Sequence, residues 1–240
     1  MRLEGLTGRG VRVAIIDSGV NAAHPHVGAI AGGVFVTPAG PSRDYVDYLG
    51  HGTAVTAAIR EKAPDAELYA VKVFDRVLST QSDILLQALE WCLERGMHVI
   101  NLSLGTRKQD RRSQFEELLA RAAQSQVIVV AAQEAGGELV LPGCLPGAFA
   151  VGLAPACPRD TYHAANNGSG VVFYASGYPR PLPGLPQERN LNGISFAVAN
   201  MTGFVARARE AVPDASSETI RQLLLEDAVQ EAGCNTGIRG

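Results

Sequence analysis

Apolar residues along this chain recur with two different periods. A β-branched run at 10–16 and apolar runs at 99–104 and 127–132 read as buried strands, with shorter ones at 149–153 and 171–174. The stretch 67–74, E-L-Y-A-V-K-V-F, alternates and also reads as a strand. Between these runs the period changes. In 82–95, Ile84, Leu85, Ala88, Leu89 and Cys92 share one helical face, and Gly96 follows. A helix is expected from His51 to position 63, stopped by Pro64. Amphipathic helices are expected at 115–125 and 217–228, and a long one rich in Ala and Gly at 195–212. Alternating strands and helices imply an α/β fold whose mostly parallel sheet is covered on both faces. Such sheets gather functional groups at the carboxyl ends of strands and the starts of the following helices. Asp17, His51 and Ser195 occupy positions of this kind.

With 240 residues, 46% of them hydrophobic, the chain is long enough for a full core. It carries no repeat and no linker-like stretch, so one domain over 1–240 is expected. A net charge of −3 supplies no field for nucleic acid or an anionic membrane, and no apolar run approaches a membrane span. Neither partner is expected. The start, M-R-L-E-G, lacks the apolar core of a secretory signal, which makes the cytoplasm the expected location. Cys92, Cys144, Cys157 and Cys234 form no C-x-x-C pair, so no zinc site is expected, and reduced thiols suit that compartment. A Cys144–Cys157 disulfide stays open at this level. The Pro-rich stretch 178–186 reads as a rigid surface loop bordering a cleft.

Three short segments carry the chemistry: V-A-I-I-D-S-G at 13–19, H-G-T at 51–53 and G-I-S-F-A at 193–197. Singly, each has an ordinary structural explanation. Ser195 could be a helix cap, Asp17 a turn cap, and a lone histidine is usually structural, the reading given to His24, His26, His98 and His163. Together they supply an acid, an imidazole and a hydroxyl, the parts of an activated nucleophile. A helix starting at Ser195 also offers unpaired backbone N–H groups and a positive dipole end to a developing oxyanion.

The order Asp, His, Ser with these flanks resembles the subtilisin-like serine proteases, the subtilases. The segments L-Y-A-V-K-V at 68–73, V-I-N-L-S-L-G at 99–105, L-P-G at 141–143 and A-F-A-V-G at 148–152 extend the resemblance over nearly the whole chain. It implies a three-layer subtilisin-like fold and a serine endopeptidase acting on a peptide or protein substrate without a cofactor. Ser195 would attack the carbonyl, His51 would shuttle the proton, and Asp17 would orient the imidazole. Ser103, Leu104 and Gly105 would line the groove by pairing with the substrate backbone. The Ser195 backbone N–H would form part of the oxyanion hole.

The chain also departs from the family. Relatives place an oxyanion-stabilising asparagine after the strand at 127–132, where this chain reads A-Q-E-A-G-G. Ungapped alignment puts Ala135 there, and shifts of one or two residues put Glu134 or Gln133. Gln133, which has an amide to donate, is the expected substitute, with solvent-facing Gln133 and Glu134 as the alternative. Glu134 or Gln133 would lie near the wall of the primary pocket, where a buried carboxylate would favour a basic residue; Val140 would lie near its base and make it shallow. Ala54, Ala199 and Asn200 replace a histidine, a proline and a histidine of the family. The helix from His51 runs to Pro64 without the calcium-binding insertion of many relatives, so no metal site of that type is expected. Sixteen residues precede Asp17; a pro-segment is either removed or not used. The basic run R-K-Q-D-R-R at 107–112 is expected to be solvated loop, with attraction of acidic substrate residues as the alternative. These features favour a dedicated processing protease, for example one that trims precursor leaders. The other readings are a weakened subtilase that binds peptides, an acyl transferase or ligase on the same site, and an esterase.

Overall fold

The apolar runs become strands of one sheet. The computed structural model describes residues 3–168 and 170–229. In chain order the elements are β1 (Arg12–Asp17), β2 (Gly32–Thr37), β3 (Gly40–Ser42), α1 (His51–Lys62), β4 (Glu67–Lys72), α2 (Ser82–Glu94) and β5 (Val99–Leu102). There follow α3 (Arg112–Gln124), β6 (Ile128–Ala132), β7 (Glu134–Ala135), β8 (Glu138–Leu139), β9 (Phe149–Leu153), β10 (Tyr162–Asn166), β11 (Val171–Ala175), α4 (Ile194–Ala211) and α5 (Ser217–Asp227). The nine-stranded sheet has the order β10-β11-β9-β6-β5-β1-β4-β2-β3. Its interior pairings are parallel, and only the end strands β10 and β3 run antiparallel to their neighbours.

Side chains alternate across the pleat and divide the core in two. Val13 and Ile15 of β1 face one side, where they meet Val55 and Ile59 of α1, Phe204 of α4 and Leu224 of α5. Ala14 and Ile16 face the other, with Leu85 and Leu89 of α2 and Phe115 of α3. That makes three layers: α1, α4 and α5, then the sheet, then α2 and α3.

The central elements fall where the apolar periods place them. The edges do not. β2, β3 and β10 contain Gly, Pro, Asn or His, which dilute the strand signal, and edge strands need less burial to form. β5 stops at Leu102, two residues before the end expected for it, which leaves 103–105 beyond the last ladder residue. Cys144 carries a free thiol, so the Cys144–Cys157 bridge is not formed. Cys234 lies outside the described residues. Among the described residues no helix is long and apolar enough to cross a membrane.

Candidate active site

Asp17 ends β1 with its side chain buried at the carboxyl edge of the sheet. Its Oδ1 accepts the Ser18 N–H and the His51 Nδ1–H, each at 2.7 Å. That bond places the imidazole proton on Nδ1 and leaves Nε2 as the basic atom. His51 is the first residue of α1 and only partly exposed. Burial opposes its protonation, but the hydrogen bond and charge of Asp17, with the charge of Asp47 behind them, raise its pKa above the ordinary 6.5.

Asp47, four residues before His51, clamps the start of α1. Its Oδ1 accepts from the Ser18 hydroxyl and from the N–H groups of Leu49 and Gly50; its Oδ2 accepts from the N–H and hydroxyl of Thr53. Burial would raise this carboxyl, but those hydrogen bonds win and hold it below its usual range. Gly52 completes the joint. A Cβ at this position would come within 2.2 Å of the Gly19 carbonyl oxygen, so the helix bearing His51 approaches β1 this closely only with glycine there.

Ser195 is the second residue of α4. Its hydroxyl donates to the Ser103 carbonyl at 3.0 Å, and the Ser103 hydroxyl donates back to the Ser195 carbonyl at 3.3 Å. The Ser195–His51 hydrogen bond is not formed in this arrangement; Phe196, the next residue, packs its ring 5.6 Å from that of His51. Behind Ser103 runs a buried polar chain. Asn101 Nδ2 donates to Ser103 Oγ at 2.8 Å, and Thr202 Oγ1 donates to Asn101 Oδ1 at 2.9 Å. Asn101 and Thr202 are both fully buried. The chain ties the end of β5 to the first turns of α4, where Ser195 sits. Thr202→Val removes the donor to Asn101 while keeping the side-chain shape, and is expected to cost about 1–3 kcal/mol of stability. Denaturant unfolding measures this; an unchanged midpoint would mean that the bond contributes nothing.

The groove-lining candidates Ser103, Leu104 and Gly105 lie together beyond β5, with Ser103 against Ser195. Val140 is buried, and a Cβ on Gly105 would meet its Cγ2 at 2.8 Å, so Val140 fills the space beside Gly105. Glu134 is exposed, so it is not the buried carboxylate considered for a basic-selective wall. It begins a tight hairpin, β7–β8, turned by Gly136 and Gly137 with φ of 63° and 79°.

Gln133 is held through its backbone. Its N–H donates to the Val151 carbonyl, and its carbonyl accepts from Val140. It lines a cavity shared with Gly143, Cys144, Asn166 and Arg221. Val130 and Ala132 of β6 face the α4 side, whereas Val129 and Ala131 face away; continuing that alternation turns Gln133 away from α4. The Ser195 backbone N–H, by contrast, sits in the first turn of α4, where helical N–H groups lack intrahelical acceptors.

The basic run after the groove is engaged internally. Arg107 donates to the Ala135 carbonyl and pairs with Glu138, Arg111 pairs with Asp83, and Arg112 pairs with Glu116. Arg107 thus fastens the β7–β8 hairpin to the end of the groove segment.

The sequence profile of the subtilase family matches residues 8–238. The chain belongs to the subtilase family. Membership places it among the serine peptidases. Subtilisin Savinase of Lederbergia lenta is 33% identical, over 96% of this chain and 88% of that protein. The alkaline protease of Alkalihalobacillus alcalophilus is also 33% identical, but this chain spans only 62% of its length. Two crystal structures share the fold at 20% identity. One is a cold-adapted subtilisin-like serine proteinase, with a TM-score of 0.74 over 97% of this chain and 87% of that one. The other is a lanthipeptide protease, with a TM-score of 0.71 over 92% of this chain and 80% of that one.

Asp47, Asn101 and Thr202 do not stand out as site residues in the sequence. Asp47 has a local signal, an acidic residue just ahead of a helix start with Thr53 in the first turn. Asn101 and Thr202 have none, because 101 residues separate them.

Proposed function

We propose that this subtilase is a serine endopeptidase in which Ser195 is the nucleophile, His51 the general base and Asp17 its orienting acid. The observation that carries the reading is the 2.7 Å Asp17–His51 bond beside the N-terminus of the helix that bears Ser195. Moving the Ser195 hydroxyl from the Ser103 carbonyl to His51 Nε2 would give the base a proton to remove. Attack on the peptide carbonyl would form an acyl-enzyme; His51 would then protonate the leaving amine and activate water. The Ser195 N–H would stabilise the oxyanion. Ser103–Gly105 would hold the substrate as an added strand. A fluorophosphonate that labels Ser195 stoichiometrically supports this reading, and folded protein that takes no label overturns it.

A dedicated processing role is the finer part of the proposal. Two features support it: Val140 fills space beside Gly105, and no asparagine stands in the turn after β6. Both favour a narrow substrate range over rapid general digestion. The placement of Gln133 predicts that Gln133→Ala leaves kcat within about threefold, since loss of an oxyanion donor typically costs about a hundred- to a thousand-fold. Steady-state cleavage of one peptide checks this, and a drop of the larger size would place the Gln133 amide on the oxyanion.

The unformed Ser195–His51 bond favours one second reading, a subtilase that binds peptides and hydrolyses little. Tight peptide binding without turnover or fluorophosphonate labelling would establish it.

A further inference from the structure

A cavity of about 300 Å³ opens beside the first turns of α1, the helix that starts at His51. Gly50, Thr53, Ala54 and Ala57, around and below His51, form one wall. Asn190 and Leu191, a few residues ahead of Ser195, form another. The cavity thus adjoins both the helix that begins at His51 and the segment that leads into Ser195.

The cavity is apolar below and basic at its edge. Ala54, Ala57, Pro179, Leu182 and Leu191 supply the apolar surface. The small side chain of Ala54 leaves room that a larger residue would fill. His24, His26 and Arg180 supply the basic edge. Their geometry is specific. The His26 N–H donates to His24 Nδ1 at 3.2 Å, which leaves His24 Nε2 as the hydrogen-bearing nitrogen. The two rings pack edge to face, 5.2 Å apart. Arg180 makes one long contact, 3.5 Å to the His26 carbonyl, and pairs with no carboxylate among the described residues. Burial, then the neighbouring charge of Arg180, lowers the pKa of His26. Asp47 also borders the cavity, but both its oxygens are turned into the α1 N-terminus by five hydrogen bonds. Arg180 is therefore a partly buried cation with unused donors beside an apolar recess, an arrangement suited to a carboxylate on a short aliphatic stem.

We propose that this cavity receives an acidic side chain of the peptide substrate from the leaving-group side of the scissile bond, with Arg180 as the specificity-determining residue. The inference rests on the protease reading above. In that reading His51 protonates the leaving amine, and the recess along the first turns of its helix is assigned to the departing segment. The groove at Ser103–Gly105 would hold the acyl side.

The test is cleavage of a proteome-derived peptide library by the full chain, with cut sites read by mass spectrometry. Fluorophosphonate titration of Ser195 in each protein sets the amount of active enzyme. Glu and Asp are expected to be enriched about tenfold within the first three positions after the cut, the scale of one charge-assisted hydrogen bond. Arg180→Lys should keep most of that preference, Arg180→Ala should lose it, and Arg180→Glu should replace it with Lys and Arg. Ala54→Leu, which fills the recess and leaves Arg180 in place, should also weaken it. A flat distribution after the cut, the same in all variants while Ser195 titrates fully, overturns the pocket and leaves the protease reading standing. Failure of Ser195 to take the label overturns both.

Discussion

Ser195→Ala is expected to lower kcat/KM by about a million-fold, the size of effect seen when one member of a nucleophile–base unit is removed. The structure explains why the loss should be so complete. Ser195 sits in the first turn of α4, and Phe196, the next residue, packs against the imidazole of His51. The remaining parts do not supply a substitute: the Ser103 hydroxyl is committed to the Ser195 carbonyl and the Asn101 amide. His51→Ala should cost about the same, and the double variant should be no worse than either single one, because in the proposed mechanism the two groups act on one proton. A residual rate of about a thousand-fold over water is expected from binding and the Ser195 N–H alone. Progress curves on a single peptide, with folding checked by circular dichroism, measure all three variants. Retention of more than a hundredth of the activity in Ser195→Ala would remove this serine from the nucleophile's role.

Asp17→Asn is the second large effect, expected at about ten-thousand-fold in kcat. The amide introduced by this substitution would present either an oxygen or an NH₂ group to the ring. The oxygen keeps the Nδ1 proton in place but withdraws the negative charge; the NH₂ group forces the other tautomer and leaves Nε2 unable to accept the serine proton. The pH profile separates this role from a merely structural one. His51 acts as a base only when neutral, and Asp17 raises its pKa above 6.5. The acid limb of kcat/KM should therefore lie above 6.5 in the natural protein. In Asp17→Asn the hydrogen bond to a carboxylate and its charge are lost while burial and the Asp47 charge remain, so the limb should move to lower pH. The linkage to stability has the corresponding sign. With its folded pKa raised, His51 adds stability that is fully present below its unfolded value and lost as pH rises through the folded value. Asp47 acts oppositely: its contribution is present above its unfolded value and fades as pH falls through the lowered folded one. An acid limb that does not move in Asp17→Asn would show that Asp17 does not set the charge on His51.

The Ser103–Asn101–Thr202 chain suggests how the nucleophile's helix is held to the sheet. Asn101 belongs to β5, Ser103 follows it and Thr202 lies on α4, and each bond is made in a buried site where an unpaired polar atom would be costly. The same physics sets limits on the turn after β6. Gln133 is bonded through its backbone to Val151 and Val140, and Arg107 holds the following hairpin at the Ala135 carbonyl and at Glu138. Replacing the missing asparagine by a side chain from this turn would therefore need the hairpin to move.

Much of this protein was legible from local pattern. The apolar periods defined the central strands and the helices that cover them, because burial on a pleat or on one helical face leaves a period in the sequence. D-S-G, H-G-T and G-I-S-F-A marked Asp17, His51 and Ser195, because each sits where a strand ends or a helix begins, and those joints require particular neighbours such as Gly52. Only the tertiary structure decided what depends on direction and distance. It turned Gln133 away from α4 by strand parity, set Val140 against Gly105, and joined Asn101 to Thr202 across 101 residues. Among the described residues it also left Arg180 without a carboxylate partner, at the edge of a recess beside the first turns of α1. None of these follows from spacing along the chain, because each is a contact between elements whose approach is set by how the two halves of the core pack on one sheet.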